Sequence, residues 1–175
     1  MKSLIFSFVL LAAPYAYAQH NIAFVDVEYV FNQLPQAKQI EAEMKSLQAQ
    51  LEGQLKVKYA EFKKRVDYYT PRENTMTEAE LQSARKELQT LQDALRKTEQ
   101  DSDATLQRKH KQLMDPVTLL IQKAISDVAQ EKGYDFILNA GAGNHDVILF
   151  AEDHADVSEL ILKKLGINTD IASQD

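Results

Sequence analysis

Between Pro35 and Pro116 the apolar residues of this chain fall into a rhythm of threes and fours that a long pair of packed helices satisfies and a compact globule does not. Ala37, Ile40, Met44, Leu47 and Leu51 recur at steps of 3, 4, 3 and 4, the a/d seam of a coiled coil. Leu51, Leu55 and Tyr59 then follow at steps of four before Phe62, Val66 and Tyr69 resume the pattern. The extra step is a stutter, which locally unwinds a supercoil. Gly53 lies inside it, where Gly costs a helix about 1 kcal/mol relative to Ala. The spacing predicts a helix over residues 36–69, roughly 50 Å long at 1.5 Å per residue.

Pro71 and Asn74 break the pattern, and the restart is sharply written. Thr77 can cap a second helix with Glu80 as its capping-box partner, and Met76 can staple onto Leu81. Leu81, Ala84, Leu88, Leu91 and Leu95 carry the seam onward. Thr98, Ser102, Thr105 and Lys109 then hold it with polar groups before Leu106 and Leu113 resume in shifted register. Two long helices joined by so short a turn run antiparallel. The expectation is a helical hairpin arm over 36–115 with its tip near 67–77. Because Pro removes a helical hydrogen bond, Pro116 is expected to kink or end the second helix there and to mark the joint between arm and body. Gly53 and Pro116 are the expected hinges.

The remaining pieces are short. Residues 21–26, 134–139 and 146–151 read as strands, with a Gly-containing turn over 140–144. Val27, Val30, Phe31 and Leu34 mark one face of a brief helix. Val117, Leu120, Ile121, Ala124, Ile125 and Val128 form a dense apolar helix face ending at Gly133. Asp156 or Ser158 can cap a last helix with Val157, Leu160, Ile161 and Leu165 inward and Gly166 at its end. A body over 19–35 and 116–168 is thus assembled from both ends of the chain, with 169–175 as a loose tail. Ile22, Phe24, Phe136, Leu138, Ile148 and Phe150 are the strand residues expected in its core or in contacts between subunits. So small a core points to oligomerisation. The fold class is mainly α with a small β part: a long antiparallel coiled-coil hairpin protruding from a small α+β body.

Residues 1–18 stand apart. Lys2, the apolar run from Leu4 to Ala13, Pro14 and Ala16-Tyr17-Ala18 follow the order of a secretory signal peptide, with cleavage expected after Ala18. The apolar run is far short of the roughly 20 residues that span a bilayer. Loss of Lys2 with the leader leaves 19 basic against 26 acidic residues, a net charge of −7 that argues against a dedicated nucleic-acid binder. The absence of Cys is compatible with an exported, disulfide-free protein.

Motifs for chemistry are lacking. The chain holds no G-x-G-x-x-G, P-loop, H-E-x-x-H or G-x-S-x-G. His145 and Asp146 with Asp153, His154 and Asp156 are the one cluster to weigh as metal ligands. No spacing forces them onto one site, so they read as polar loop residues and no metal is expected. Ala140-Gly141-Ala142-Gly143 leads from strand to strand rather than onto a helix N-terminus, so it reads as a hairpin turn and not a phosphate loop. What remains is the arm. Around its tip Lys56, Lys58, Lys63, Lys64, Arg65 and Arg72 outnumber Glu61, Asp67 and Glu73, while residues 131–175 carry a net charge of −6. Tyr59, Phe62, Tyr68 and Tyr69 crowd the same end. Adjacent Tyr68 and Tyr69 cannot both enter one seam, so an exposed aromatic is a candidate contact for a bound partner. With Lys63, Lys64 and Arg65 these form the candidate binding residues, a diffuse set.

Ile22-Ala23-Phe24-Val25-Asp26 with Leu34-Pro35, the charged hairpin, Pro116, the run from Ile125 to Leu138 and Asp156-Val157-Ser158 occur in an order that resembles the Skp/OmpH family of periplasmic chaperones. The resemblance covers essentially the whole mature chain. It implies a homotrimer whose body strands form a shared β-barrel, with three helical hairpins around a cavity that holds unfolded outer-membrane proteins, without ATP or metal. The chain departs from the best-known members, which are strongly basic. That departure counts against contact with membrane surfaces or lipopolysaccharide. A different class of function is also open to such a hairpin: a structural or adaptor protein of the cell envelope that docks a specific partner through the tip. An enzyme built on the body is the third and weakest reading.

Overall fold

A computed structural model describes residues 20–142 and 145–168. The expected leader, Gln19, Gly143, Asn144 and the expected tail at 169–175 lie outside the described residues, as do the side chains of residues 142, 145 and 146. The elements run β1 (Ile22–Val25), α1 (Val27–Gln33), α2 (Pro35–Tyr69), a 3₁₀ turn (Thr70–Thr75), α3 (Glu78–Lys132), β2 (Phe136–Asn139), β3 (Gly141–Ala142), β4 (His145–Asp146), a second 3₁₀ turn (Asp153–Ala155) and α4 (Ser158–Lys164).

Local chemistry starts and stops each helix. The Asp26 carboxylate accepts the Tyr29 backbone N–H at 2.9 Å and caps α1. Pro35 opens α2 at its first position, where the missing N–H would have had no helical partner. The capping box at the head of α3 is formed: the Thr77 N–H donates to Glu80 at 2.7 Å, and the Glu80 N–H donates to the Thr77 hydroxyl at 3.4 Å. Met76 and Leu81 line the same small cleft beside it. Gly133 takes the left-handed conformation (φ 69°) that ends α3. The 35 residues of α2 span roughly 52 Å and the 55 of α3 roughly 82 Å.

Pro116 does not end α3, contrary to expectation. A helical φ suits proline, and the break removes only the bond to the carbonyl of Gln112. Beyond it Val117, Ile121, Ala124 and Val128 are all buried against the body. One helix therefore forms both the return limb of the arm and the spine of the body.

The core gathers Ala23 and Val25 from β1, Val30 and Leu34 from α1, Ile40 from the root of α2, the α3 residues just named, and Val157, Ile161 and Leu162 around α4. The main sheet has two parallel strands, with Ile22 opposite Phe136 and Val25 opposite Asn139. On the other edge of β1 the Val157 N–H donates to the Phe24 carbonyl at 2.9 Å. The start of α4 is fixed by a relay in which Asp156 accepts the Ser158 N–H at 2.8 Å and the buried Ser158 hydroxyl accepts the Asp26 N–H at 2.9 Å. Val157, rather than Asp156 or Ser158, holds the cap position. Leu162 is fully buried and Leu160 faces out, reversing the expected order on α4.

The strand expected at 146–151 shrinks to His145–Asp146, paired with Gly141–Ala142. The N–H groups of Val147 and Ile148 both turn to the Ala140 carbonyl, which ends the ladder. Of the residues expected in the body core or in contacts between subunits, Ile22, Phe136, Leu138 and Phe150 are exposed in the single chain, and Phe24 and Ile148 are half-buried. Small Ala23 takes the inner face with Val25 and half-buried Ile137 instead. Alternation along a strand sends neighbouring residues to opposite faces, and here both faces are apolar.

Candidate functional site

Along the arm, Ile40, Met44, Leu47, Leu51, Leu55, Phe62, Val66 and Tyr69 of α2 turn inward, as do Leu81, Ala84, Leu88, Leu91 and Leu95 of α3. Only Ile40, Ala84 and Ser102 in this stretch are fully buried, because two helices alone cannot enclose a seam. Thr98, Ser102, Thr105 and Lys109 continue the inward line as expected. Lys109 reaches across to Glu43 at 2.7 Å. Its hydrogen bond, then that of Gln39, holds the Glu43 carboxyl below the usual carboxylate range.

At the tip the candidate residues divide. Phe62 and Tyr69 are half-buried in the seam, whereas Tyr59, Lys63, Lys64, Arg65 and Tyr68 are exposed. Tyr59 was expected in the seam; at 58 % exposure it lies outside it, because the stutter rotates this turn away from α3. Tyr68 and Tyr69 meet edge to face with centroids 5.3 Å apart, and the Arg72 guanidinium covers the Tyr68 ring at 4.2 Å. The Tyr69 hydroxyl donates to Glu87, which raises its pKa, and Arg65 pairs with the same carboxylate at 2.9 Å. Lys63 pairs with Asp67 at 3.4 Å. These interactions keep the tip polar, basic and partly aromatic, beside two open clefts that share Tyr69, Met76 and Ala84 in their lining.

The body presents a second surface. Ile22, Phe136 and Leu138 project from the open face of the sheet, each about half exposed. Val147, Leu149 and Phe150, in the segment after β4, are exposed as well, the last two at 90 % and 84 %. Where the arm joins the body, Val27, Phe31, Met114, Ile121 and Ile125 line an open apolar cleft of about 480 Å³. Exposed Leu119 and Leu120 lie on the same stretch of α3. This apolar collar was not among the candidate residues. Its signal was present, since residues 117–128 carry more apolar side chains than one helix face can bury.

Among the described residues no group of three or more His, Asp or Glu converges as a metal-binding set. His154 is exposed, and His20 lies 3.4 Å from Asp135. No described helix is long and apolar enough to cross a membrane.

Comparison with known proteins agrees with this anatomy. The chaperone protein Skp of Yersinia enterocolitica is 27 % identical over 162 residues, covering 89 % of this chain and 92 % of that protein. A crystal structure of an OmpH-like outer membrane chaperone from Caulobacter crescentus superposes with a TM-score of 0.66 over 85 % of each chain at 14 % identity, a likeness of fold. The model of the family described as outer membrane protein (OmpH-like) matches residues 21–165, and the chain therefore belongs to the OmpH/Skp-like family of outer membrane chaperones.

Proposed function

We propose that this protein is an ATP-independent holding chaperone of the periplasm that keeps unfolded outer-membrane β-barrel proteins soluble in a cavity between helical arms. The observation that carries the reading is a thin hairpin along which only Ala84 and Ser102 are buried beyond Ile40 at its root. Its exposed flanks mix charge with Tyr59, Tyr68 and Val57. Such a surface suits many weak contacts with changing clients better than one fixed partner. The signal-like leader supports export, and the match to Skp supports the chaperone role.

The working unit is a homotrimer. The open sheet face of Ile22, Phe136 and Leu138 is an apolar patch of the kind that marks a contact surface, and Leu149 and Phe150 are exposed as well. Shared among three bodies, these faces form the inside of one barrel, and the three arms hang from it. Residues 19–35 and 116–168 serve as the assembling body and residues 36–115 as the arm.

The test has two steps. The mass of the mature protein is measured in solution, and its ability to prevent aggregation of a urea-diluted outer-membrane barrel protein is then measured without nucleotide. A trimer that suppresses light scattering at stoichiometric ratio is expected. A monomer with no effect on aggregation would sink the proposal.

A further inference from the structure

We propose that, until the leader is removed, its apolar run covers the open face of the sheet and keeps the chain from self-associating. This rests on reading residues 1–18 as a cleaved leader and the open sheet face as the surface through which subunits meet.

The residues just before β1 are held against that face. The Asn21 backbone N–H donates to the Asp135 carboxylate at 3.0 Å, and the Asn21 side-chain amide donates to the Gly133 carbonyl at 3.2 Å. In return the Asp135 N–H donates to the Asn21 carbonyl at 2.9 Å. These bonds tie the approach to β1 onto the turn that precedes β2. One residue further back, the His20 ring meets Phe136 edge to face with centroids 6.0 Å apart. Its Nδ1 lies 3.4 Å from Asp135. Ile22 pairs with Phe136 and Phe24 with Leu138, which sets these four side chains on one side of the sheet. The chain therefore enters the body across the exposed aromatic of its open face.

The leader has the reach and the chemistry to stay there. From Ala13 to His20 the chain can span at most about 24 Å. Leu138, at the far end of the face, is only two strand positions past Phe136, roughly 7 Å. The run from Leu4 to Ala13 holds one polar residue, Ser7, and the half-exposed Ile22, Phe136 and Leu138 offer it apolar surface to bury. The leader carries Lys2 and no acidic residue, whereas residues 131–175 carry a net charge of −6, so charge favours the contact. A second copy has to compete with a segment of the same chain. A tether this short gives the leader an effective concentration of about 1 mM, about a hundredfold above a foreign subunit at ~10 µM. Cleavage after Ala18 removes the competitor, so assembly waits for export to be complete.

The test compares the full chain, residues 1–175, with the chain 19–175, each refolded without signal peptidase. Analytical ultracentrifugation at the same micromolar concentration reads the mass, and far-ultraviolet circular dichroism reads the helix. The full chain should sediment as a helical monomer and 19–175 as an oligomer. Phe8→Asp with Leu10→Asp in the full chain leaves every body residue in place and should restore the mass behaviour of 19–175. In a second arm, Phe8→p-benzoylphenylalanine in the full chain should photo-cross-link within its own chain to residues 134–138. The proposal is overturned if the full chain oligomerises as 19–175 does, if it lacks helix, or if the cross-links fall in a second copy or elsewhere in the chain. A monomeric 19–175 sinks the subunit reading and with it the link to assembly; the cross-link map then decides by itself whether the leader covers the face.

Discussion

Adjacent residues on one short strand pair should respond oppositely to the same change. Phe136→Glu should leave the single chain folded and abolish its self-association, whereas Ala23→Glu should unfold the body. Phe136 is 54 % exposed in the single chain. A Phe side chain offers roughly 200 Å² to bury, so about 110 Å² of it is wet in the single chain and open to the proposed partner subunit. At about 25 cal/mol per Å² that contact contributes roughly 2.7 kcal/mol per subunit, close to a hundredfold in each association step. That figure takes the whole exposed area as buried, and burying the new carboxylate adds a further cost. Ala23 faces the other way and is 1 % exposed; a glutamate there has neither room nor partner. Analytical ultracentrifugation reads the mass, and far-ultraviolet circular dichroism reads the fold. Phe136→Glu should sediment as a helical monomer at concentrations where the parent is expected to form the proposed trimer. An unchanged mass would show that this sheet face is not the interface. Loss of helix in Phe136→Glu, or its retention in Ala23→Glu, would show that the two faces have been assigned the wrong way round.

Four other substitutions probe the arm and its joint with the body. A Cβ at Gly53 would meet nothing within 4 Å, so Gly53→Ala should stabilise the helix by about 1 kcal/mol and raise the thermal midpoint. Pro116→Ala restores the bond to the Gln112 carbonyl and should add about 1–3 kcal/mol, read from a denaturant midpoint; a loss of stability would contradict the continuous α3. Thr77→Ala removes the hydroxyl half of the capping box, leaving the backbone N–H bond to Glu80, and should cost about 1 kcal/mol, seen as faster amide exchange over residues 78–81. The Thr77 backbone N–H, then its hydroxyl, holds the Glu80 carboxyl below its ordinary value. A depressed carboxyl stabilises above its unfolded pKa and loses that contribution as pH falls through the folded one. Tip protection should therefore fade on acidification through the carboxylate range, and Glu80→Gln, which still caps, should abolish that pH dependence.

Where a signal is local, it was legible in the chain alone. Pro35, Thr77 with Glu80, and Gly133 act within a few residues of themselves, and each bounds its helix as read. The misreadings share a cause, since each depended on what packs against the segment. Pro116 reads as a kink or an end, yet Val117, Ile121, Ala124 and Val128 bury themselves on the body and the helix runs through. Val147 to Ala151 has the composition of a strand, but with Val147 and Ile148 both bonded to Ala140 no ladder continues within the chain. Leu160 and Leu162 differ only in which side of α4 faces the core.

The sequence by itself determined a leader-like start, two long helices joined at a capped tip, a weak polar layer in the second, and a body drawn from both ends of the chain. Period and capping are written in nearest-neighbour terms, so no fold is needed to read them. Only the tertiary structure decided which face of β1 is core, because Ile22, Ala23, Phe24 and Val25 are all apolar and alternation alone cannot say which way a strand faces. It likewise decided the register of the hairpin, set by Glu43 with Lys109 and Arg65 with Glu87, pairs too far apart in the chain for any local pattern to join.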